Sequence, residues 1–408
     1  GDAGPYRQSE RLDIYEEHID KLLAEGKAYC TFETADELDT MRAAQGEHGG
    51  FKYPRPDPLP TAEQAEAARA EGKPVVVRFL VPGEAVTIVD DVFGEITVAA
   101  DEQDDFIIRK ADGYPTYHLA NVVDDAMMGI NFIMRGQEFL GQTWRHAVLR
   151  EAFGYPTPRY AHLPLIMDMQ GRKLSKRDGD VEVHAFRKAG FMPEALVNFI
   201  AMLGWNPGTE EERFTLAELV EAFSTDRINK SNAKFDRDKL SAFSTDWIAN
   251  ASDDRRLEAF TDYIAAGDSA IPGDDADLLA MLLAANSGIR TFADIDRKCA
   301  VLFGADDAYE FDAKARKKVL DKNEGEGFAA LEAIRPLLAE CEWTAELLEA
   351  LVKGYCETNE RGMGKIAQPI RVAVTGTTVS PAIFDTLLIL GRDHTLARID
   401  RCLALRDA

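Results

Sequence analysis

The stretch of this sequence with the clearest chemical potential holds two lysines, Lys173 and Lys176, on either side of Ser175. Gly171 precedes them and an acidic turn follows, which predicts a mobile loop. The two ammonium groups would then lie beside the backbone N–H donors of that loop. This combination suits a chain of phosphates, because ammonium groups can stabilise the negative charge that develops on a leaving pyrophosphate. A solvated basic loop is the more frequent explanation of any single Lys-x-x-Lys string. The surrounding elements must therefore decide between the two.

A second polar set lies upstream, on a helix that the spacing predicts over residues 117–128. Tyr117, Asn121 and Asp124 follow one another at helical spacing on one face, opposite an apolar face. Such a stripe could hold the polar groups of an amino acid, or it could be an ordinary hydrated helix face. Arg135 stands at the carboxyl end of a predicted strand over residues 130–134, where an arginine can clamp a carboxylate with two hydrogen bonds.

The elements around these residues predict how they are positioned. A buried strand over 130–134, a helix over 143–153 and a second buried strand over 160–167 lead directly into the lysine loop. This order is typical of one βαβ half of a doubly wound α/β fold. Ligands of such folds bind at the carboxyl ends of the strands, which is where both polar sets fall.

The flanking regions differ in character. Ser9 is predicted to cap a first helix, and Thr34-x-x-Glu37 and Thr61-x-x-Gln64 have the pattern of capping boxes. From residue 74 onward, four short strand-like runs predict a small antiparallel sheet within an α+β insert. Beyond residue 180 the spacing is almost entirely helical.

Composition limits the class of protein. The chain has 408 residues, enough for several domains, and its formal net charge is −24. That charge argues against general affinity for nucleic acid, so RNA binding would need local basic patches, such as residues 172–177 and 227–239. The five cysteines are scattered and never form Cys-x-x-Cys, which fits a reducing cytoplasm and disfavours disulfides or a cysteine zinc site. No apolar run reaches the length of a membrane span, and the first residues lack the pattern of a signal peptide.

Several strings along the chain resemble one known family. Lys-Leu-Ser-Lys-Arg at 173–177 resembles the second signature motif of class I aminoacyl-tRNA synthetases, in the form that glutamyl-tRNA synthetases use. The whole chain is similar to the bacterial-type glutamyl-tRNA synthetases, and the matching strings occur in the same order at 5–11, 112–125, 135–138, 162–164, 173–177, 190–196 and 368–376.

The resemblance implies a reaction in which L-glutamate and ATP, with Mg²⁺, give glutamyl-adenylate, and the glutamyl group then passes to the 3′ end of tRNA(Glu). It implies three sets of site residues, which are catalytic Lys173, Ser175, Lys176 and Arg177, glutamate-binding Tyr117, Asn121 and Arg135, and ATP-binding Leu165 and Ile166 together with Lys173 and Lys176. We also expect a cytoplasmic monomer, without the zinc site that some relatives carry in the insert, since Cys30 is the only cysteine there.

The resemblance further implies the fold class and the division of the chain. We expect an α/β, partial Rossmann-type class I synthetase catalytic domain with an α+β insert, followed by an all-helical region for stem contact and anticodon binding. The expected parts are a catalytic fold at 1–12 and 110–180, an acceptor-arm insert at 13–109, a stem-contact domain at 181–250, and two helical anticodon-binding domains at 251–335 and 336–408.

The chain also departs from the family pattern. The first class I signature, a His-x-Gly-His string, does not occur in the sequence, and we therefore expect a chain that lacks its N-terminal segment and is inactive as it stands. Phe139 and Trp144 differ from the residues expected after Arg135, so the ATP side of the pocket is expected to differ in detail. Two alternatives remain, a non-catalytic tRNA-binding fragment and an enzyme that also glutamylates tRNA(Gln).

Overall fold

A computed structural model describes residues 1–45, 51–174, 181–267 and 269–406 of the chain. These residues form two compact units. The first unit comprises Gly1–Met167, Gly204–Glu210 and Ala222–Ala233, and the second comprises Asp168–Leu203, Glu211–Glu221 and Lys234–Ala408.

The first unit is a mixed α/β structure. In chain order its helices and strands are α1 (Leu12–Ala24), β1 (Ala28–Thr31), α2 (Ala35–Gln45), α3 (Ala62–Ala70), β2 (Val76–Phe79), β3 (Val86–Asp90), β4 (Gly94–Val98), β5 (Ile107–Arg109), α4 (Tyr117–Met127), β6 (Phe132–Gly136), α5 (Thr143–Phe153), β7 (Arg159–Leu163) and β8 (Ile166–Met167).

The predicted βαβ unit is present. Strands β6 and β7 pair in parallel, and the register places Arg135 opposite His162. Helix α5 connects them over the residues that the spacing predicted, and it ends at Gly154 in the left-handed conformation, with φ 73°. The buried face of α4, including Leu119, Val122 and Val123, belongs to the hydrophobic core of this unit.

The expectation of one small antiparallel sheet in the insert was wrong. Strands β1, β2 and β5 do form an antiparallel sheet. The hairpin of β3 and β4, however, joins the parallel strands, because β3 pairs with β7 and gives a four-stranded sheet in the order β4-β3-β7-β6. Asp90, the last residue of β3, lies opposite Tyr160. A strand that appeared to belong to the insert thus contributes to the sheet that carries Arg135.

The capping predictions met different outcomes. Both capping boxes are present, since Thr34 and Glu37, and likewise Thr61 and Gln64, exchange side-chain and backbone hydrogen bonds. Ser9 does not cap α1, because it lies in a short 3₁₀ turn and the residue that precedes the helix is Arg11.

The second unit is almost entirely helical, as the spacing predicted. Strand β9 (Ala233–Lys234) lies where the two units meet in sequence, and the remaining elements are α6 (Val183–Lys188), α7 (Pro193–Ala201), α8 (Leu216–Ala222), α9 (Arg237–Asn250), α10 (Asp253–Ala266), α11 (Ala276–Ala284), α12 (Ala293–Cys299), α13 (Ala313–Ala315), α14 (Lys322–Glu340), α15 (Ala345–Thr358), α16 (Gly364–Thr375), α17 (Ile383–Leu390) and α18 (Arg392–Ala404).

A buried arginine fastens the last helix to the rest of this helical unit. The Arg398 guanidinium donates to the carbonyl oxygens of Val301, Val374 and Gly304 at 2.8–2.9 Å, and its Nε donates to Asp306 at 2.7 Å. Because these acceptors satisfy the charge, a fully buried arginine is tolerated here.

Gly190 marks a close approach of two backbone segments in the same unit. Its φ is 80°, and a Cβ placed on it would lie 2.7 Å from the backbone nitrogen of Ala293. Only glycine fits both constraints. Its carbonyl accepts the N–H of Phe292 at 3.0 Å, so this contact connects the turn after α6 to the start of α12.

In the described part of the chain, all five cysteines are free thiols and no helix is both long and apolar enough to cross a membrane.

Candidate active site

Helix α4 presents Tyr117 and Asn121 on the same side of the first unit, as their spacing predicted. Tyr117 is 47% exposed, so its ring is accessible to a ligand. Asn121 is half-buried, and its side-chain oxygen has no hydrogen-bond partner among the described residues although it is shielded from solvent. A shielded acceptor without a donor costs free energy, on the order of 1–3 kcal/mol, unless a ligand or water supplies one.

Asp124, the third member of the polar stripe, has a different role. Its carboxylate accepts hydrogen bonds from Arg11 at 2.7 Å, from the Tyr15 hydroxyl at 2.8 and 2.9 Å, and from Gln8 at 3.1 Å. Burial, followed by this contact with Asp124, raises the pKa of Tyr15 to about 12. Asp124 therefore fastens α4 to α1 and is not available to a substrate.

Arg135 is held at the carboxyl end of β6 by side chains from three elements. Its Nε donates to His162 Nε2 at 3.1 Å and its Nη2 donates to Thr143 Oγ1 at 2.8 Å. Its Nη1 makes two longer contacts of 3.4 Å, with the Tyr117 hydroxyl and with His146 Nδ1. The guanidinium also lies over the ring of Phe139, with Cζ 5.3 Å from the ring centroid. The structure thus brings together Tyr117 and Arg135, which the sequence assigned to one subsite.

Arg135 forms no ion pair with a described acidic residue, although its charge acts on the Asp125 carboxyl, whose pKa is raised by burial against the opposing charges of Arg150 and then Arg135. Its four hydrogen-bond partners carry no formal charge, and none of the ion pairs formed between described residues involves it. A guanidinium at a strand end with neutral partners is an efficient receptor for a ligand carboxylate, because its electrostatic attraction is not already used.

The three histidines around Arg135 remain neutral near pH 7. Burial, and then the charge of Arg135, lower the pKa of His146 to about 3. Burial, and then the charges of Arg145 and Arg135, lower the pKa of His118 to about 4. Burial also lowers the pKa of His162, against the opposing effect of Asp90. Neutral rings can accept hydrogen bonds from Arg135, whereas imidazolium ions would repel it.

The histidine contacts also assign the tautomers. Because His162 Nε2 accepts from Arg135, its hydrogen is on Nδ1, which lies 2.6 Å from Asp90 Oδ2. By the same reasoning, His146 accepts at Nδ1 and donates from Nε2 to His118 Nδ1 at 3.1 Å.

Leu165 and Ile166, the predicted adenine contacts, lie near the end of the first segment of the same unit, Gly1–Met167. The Leu165 N–H donates to Asn232 Oδ1 at 3.1 Å, and its carbonyl accepts the N–H of Ala233 at 3.0 Å. The same Asn232 oxygen accepts from Gln137 at 2.6 Å. Both backbone groups of Leu165 thus have protein partners, while the Ile166 side chain is exposed.

Lys173 belongs to the second unit and follows a tight turn. The Asp168 carboxylate accepts the backbone N–H groups of Gln170 and Arg172, each at 2.9 Å, and pairs with the Arg172 guanidinium at 2.7 Å. These contacts, the backbone bond from Arg172 first, lower the pKa of Asp168. Gly171 within the turn has φ 82°, which favours glycine. The turn sets the direction in which the chain leaves toward Lys173.

The remaining members of the predicted catalytic motif, Ser175, Lys176 and Arg177, lie outside the described residues. Their predicted role is therefore untested. Within the described ranges, no cluster of three or more His, Cys, Asp or Glu side chains is placed to hold a metal ion.

Five residues in the hydrogen-bond networks around Arg135 and Leu165 were not predicted as site residues from the sequence. They are Asp90, Thr143, His146, His162 and Asn232. His162 lies within one of the family-like strings, and Asp90 lies in an acidic turn at a strand end, so both had a weak local signal. Their mutual contact had none, because it depends on the parallel pairing of distant strands.

Comparison with known proteins identifies the class. The family model for the catalytic domain of class I tRNA synthetases (E and Q) covers residues 1–242, and that for an anticodon binding domain covers residues 255–403. The chain thus belongs to the class I tRNA synthetases.

Individual relatives narrow the family. The chain is 39% identical to the glutamate–tRNA ligase of Syntrophotalea carbinolica, over 98% of this chain and 83% of the relative. It is 35% identical to the enzyme of the same name from Thermus thermophilus, over 99% and 84% of the two chains. A crystal structure of a glutamate tRNA ligase from Elizabethkingia meningosepticum, in complex with its amino acid, is similar with a TM-score of 0.78 and 29% identity, covering 99% of this chain and 84% of that one. The chain therefore belongs to the glutamate–tRNA ligase family.

Proposed function

We propose that Tyr117, Asn121 and Arg135 form the glutamate subsite of this ligase, with Arg135 bound to one of the two substrate carboxylates. The observation that carries this proposal is the uncompensated guanidinium of Arg135, held by neutral acceptors beside the accessible ring of Tyr117. A guanidinium fork binds a planar carboxylate with two parallel hydrogen bonds. The shielded Asn121 oxygen is suited to accept an N–H from the substrate ammonium group, which would supply its missing donor.

The class uses ATP, and we assign its phosphates to Lys173 and Lys176, with Ser175 and Arg177 in the same motif. Class I activation places negative charge on a leaving pyrophosphate, and two ammonium groups three residues apart in the sequence are suited to stabilise it. Mg²⁺ would accompany the nucleotide. Leu165 and Ile166 stay the adenine-binding candidates, with both backbone groups of Leu165 already held by protein partners and Ile166 within β8, which pairs with β9.

We assign the other parts of the chain to tRNA(Glu). Residues 13–109 would bind the acceptor arm and residues 181–250 the stem. Residues 251–335 and 336–408 would read the anticodon, in agreement with the anticodon-binding family model over 255–403. We propose a monomer without a zinc site that acts in the cytoplasm, where five free thiols would remain reduced.

Charging of purified tRNA(Glu) and tRNA(Gln) with labelled glutamate tests the proposal. The assay is run on the 408-residue chain and, where the coding sequence extends further upstream, on the longer protein as well, and Arg135→Ala is measured in every preparation that charges. We expect charging of tRNA(Glu), and a glutamate KM that rises strongly in the variant. An unchanged glutamate KM in Arg135→Ala would refute the assignment of the subsite.

A further inference from the structure

Two protein side chains occupy one edge of the Arg135 guanidinium. The Nε and Nη2 atoms form that edge, and they donate to His162 at 3.1 Å and to Thr143 at 2.8 Å. The Thr143 hydroxyl in turn donates to the carbonyl of Phe139 at 2.9 Å, which fixes its orientation. Among the residues that the structure describes, Nη1 makes only the 3.4 Å contacts to Tyr117 and His146. The Nη1 and Nη2 ends of the fork are therefore the part of the group that a ligand carboxylate can approach.

His162 can serve as an acceptor only in one tautomer, and Asp90 selects it. The Asp90 side chain is wholly buried, and its Oδ2 lies 2.6 Å from His162 Nδ1. The same carboxylate accepts the backbone N–H groups of Val92 at 3.0 Å, Phe93 at 2.9 Å and His162 at 3.1 Å. Because these backbone groups hold Asp90 in place as an acceptor, the histidine hydrogen stays on Nδ1 and Nε2 stays free to accept.

We propose that Asp90 and His162 are positioning residues for the amino-acid substrate, which hold Arg135 by its Nε edge so that its two terminal nitrogens face the substrate carboxylate. This inference rests on the proposed glutamate subsite. A buried carboxylate, a histidine and a functional group in series is the arrangement that orients metal-bound or catalytic histidines elsewhere. Here the oriented group is a guanidinium, and the series also leaves its charge uncompensated, because the group in direct contact is a neutral ring.

The series of Asp90, His162 and Arg135 predicts a specific effect of Asp90→Asn. An asparagine can still accept the backbone N–H groups of Val92 and Phe93 through its oxygen, which also lies 3.3 Å from the His162 backbone nitrogen, but its NH₂ group would replace Oδ2 and face His162 Nδ1. The histidine would then carry its hydrogen on Nε2, where it would oppose the Nε–H of Arg135. The variant keeps the volume and shape of the side chain, so it changes only the hydrogen bonding and the charge at this position.

The test measures tRNA charging by the charging-competent protein with Asp90→Asn, His162→Gln and Thr143→Val. We expect the KM for glutamate to rise about 10-fold or more, which corresponds to roughly 1.4 kcal/mol, while the KM for ATP and for tRNA changes less than about twofold. Tyr160→Phe is the matched control, since its buried ring stacks on that of His162, with 6.2 Å between the centroids, and its hydroxyl takes no part in the Asp90–His162–Arg135 series. It should leave all three KM values unchanged.

A double-mutant cycle separates positioning from general damage. In an Arg135→Lys background, which keeps the charge but has no Nε edge, Asp90→Asn should change the glutamate KM by less than about twofold. Equal effects in both backgrounds, or a parallel rise of the ATP and glutamate KM values, would overturn the inference in favour of a structural role. Should Asp90→Asn fail to fold, His162→Gln tests the contact with the Arg135 Nε directly. An unchanged glutamate KM in Arg135→Ala would refute the proposed glutamate subsite itself. A raised glutamate KM in Arg135→Ala, together with unchanged values in Asp90→Asn and His162→Gln, would refute only the positioning role of Asp90 and His162.

Discussion

Arg11 and Asp124 form a buried ion pair, with 2.7 Å between Nε and Oδ1, and the Arg11 side chain is 1% exposed. The pair connects the start of α1 to α4, the helix that carries Tyr117 and Asn121. The Arg11 Nη1 also donates to the carbonyl of Pro5 at 2.8 Å. The orientation of the proposed glutamate subsite therefore depends on a contact between residues far apart in the chain.

Asp124→Ala should destabilise the first unit by about 3–5 kcal/mol, because it leaves the buried Arg11 charge without a partner. The opening free energy of α4 amides, measured by hydrogen exchange, reports this change. Asp39→Ala is the control, since it removes an exposed pair with Arg42 and should cost less than about 1 kcal/mol. Equal effects of the two variants would contradict the assigned role.

Arg135→Ala should raise the KM for glutamate by about 100-fold, because a charge-assisted, bidentate contact of roughly 2–3 kcal/mol is lost. The affinity for tRNA should stay nearly the same, and a filter-binding titration measures it. A large loss of tRNA affinity would instead make Arg135 a structural or tRNA-contacting residue.

Lys176→Ala should slow adenylate formation by about 100-fold or more, measured by rapid quench in the presence of tRNA, because a charge that acts on the leaving pyrophosphate is removed. Lys188→Ala, at an exposed position at the end of α6, provides a comparison with the same loss of charge. A normal rate in Lys176→Ala would exclude this lysine from the mechanism.

Acid should destabilise the first unit through His118 and His146. Their folded-state pKa values are about 4 and about 3, below the ordinary value of 6.5, so the unfolded chain binds more protons between these limits. The stabilising contribution of the neutral rings is complete above about pH 6.5 and declines as pH falls toward 4 and then 3. The urea midpoint for unfolding of the first unit, measured by hydrogen exchange in its peptides, should fall from pH 8 to pH 6 and again to pH 5. Replacing both His118 and His146 with Gln should reduce the dependence of this midpoint on pH. His184→Gln, at an exposed position, should leave that dependence unchanged.

Gly190→Ala should destabilise the second unit by about 1–3 kcal/mol, because its φ of 80° and the 2.7 Å approach to Ala293 leave no room for a Cβ. Gly354→Ala is the control with the opposite sign, because this residue lies within α15 with open space around it. This variant should stabilise the second unit by about 0.5–1 kcal/mol. Thermal unfolding followed by calorimetry would show the two shifts in opposite directions.

Local pattern by itself determined much of this protein. The apolar spacing gave the bounds of α5 and nearly those of α4, and both capping boxes form as the sequence indicates. The ordered strings from 5–11 to 368–376 identified the family before any contact was known. These features depend on neighbours within a few residues or on whole motifs, and a sequence displays both directly.

The tertiary structure alone decided which polar residues act together. Asp124 shares a helical face with Tyr117 and Asn121, yet Arg11 and Tyr15 remove it from the site. Strand β3 reads as part of an antiparallel insert, yet its pairing with β7 brings Asp90 to His162, and the register of β6 on β7 brings His162 to Arg135. Strand pairing and buried ion pairs join residues by distance in space, and the order of residues along a chain does not contain that distance.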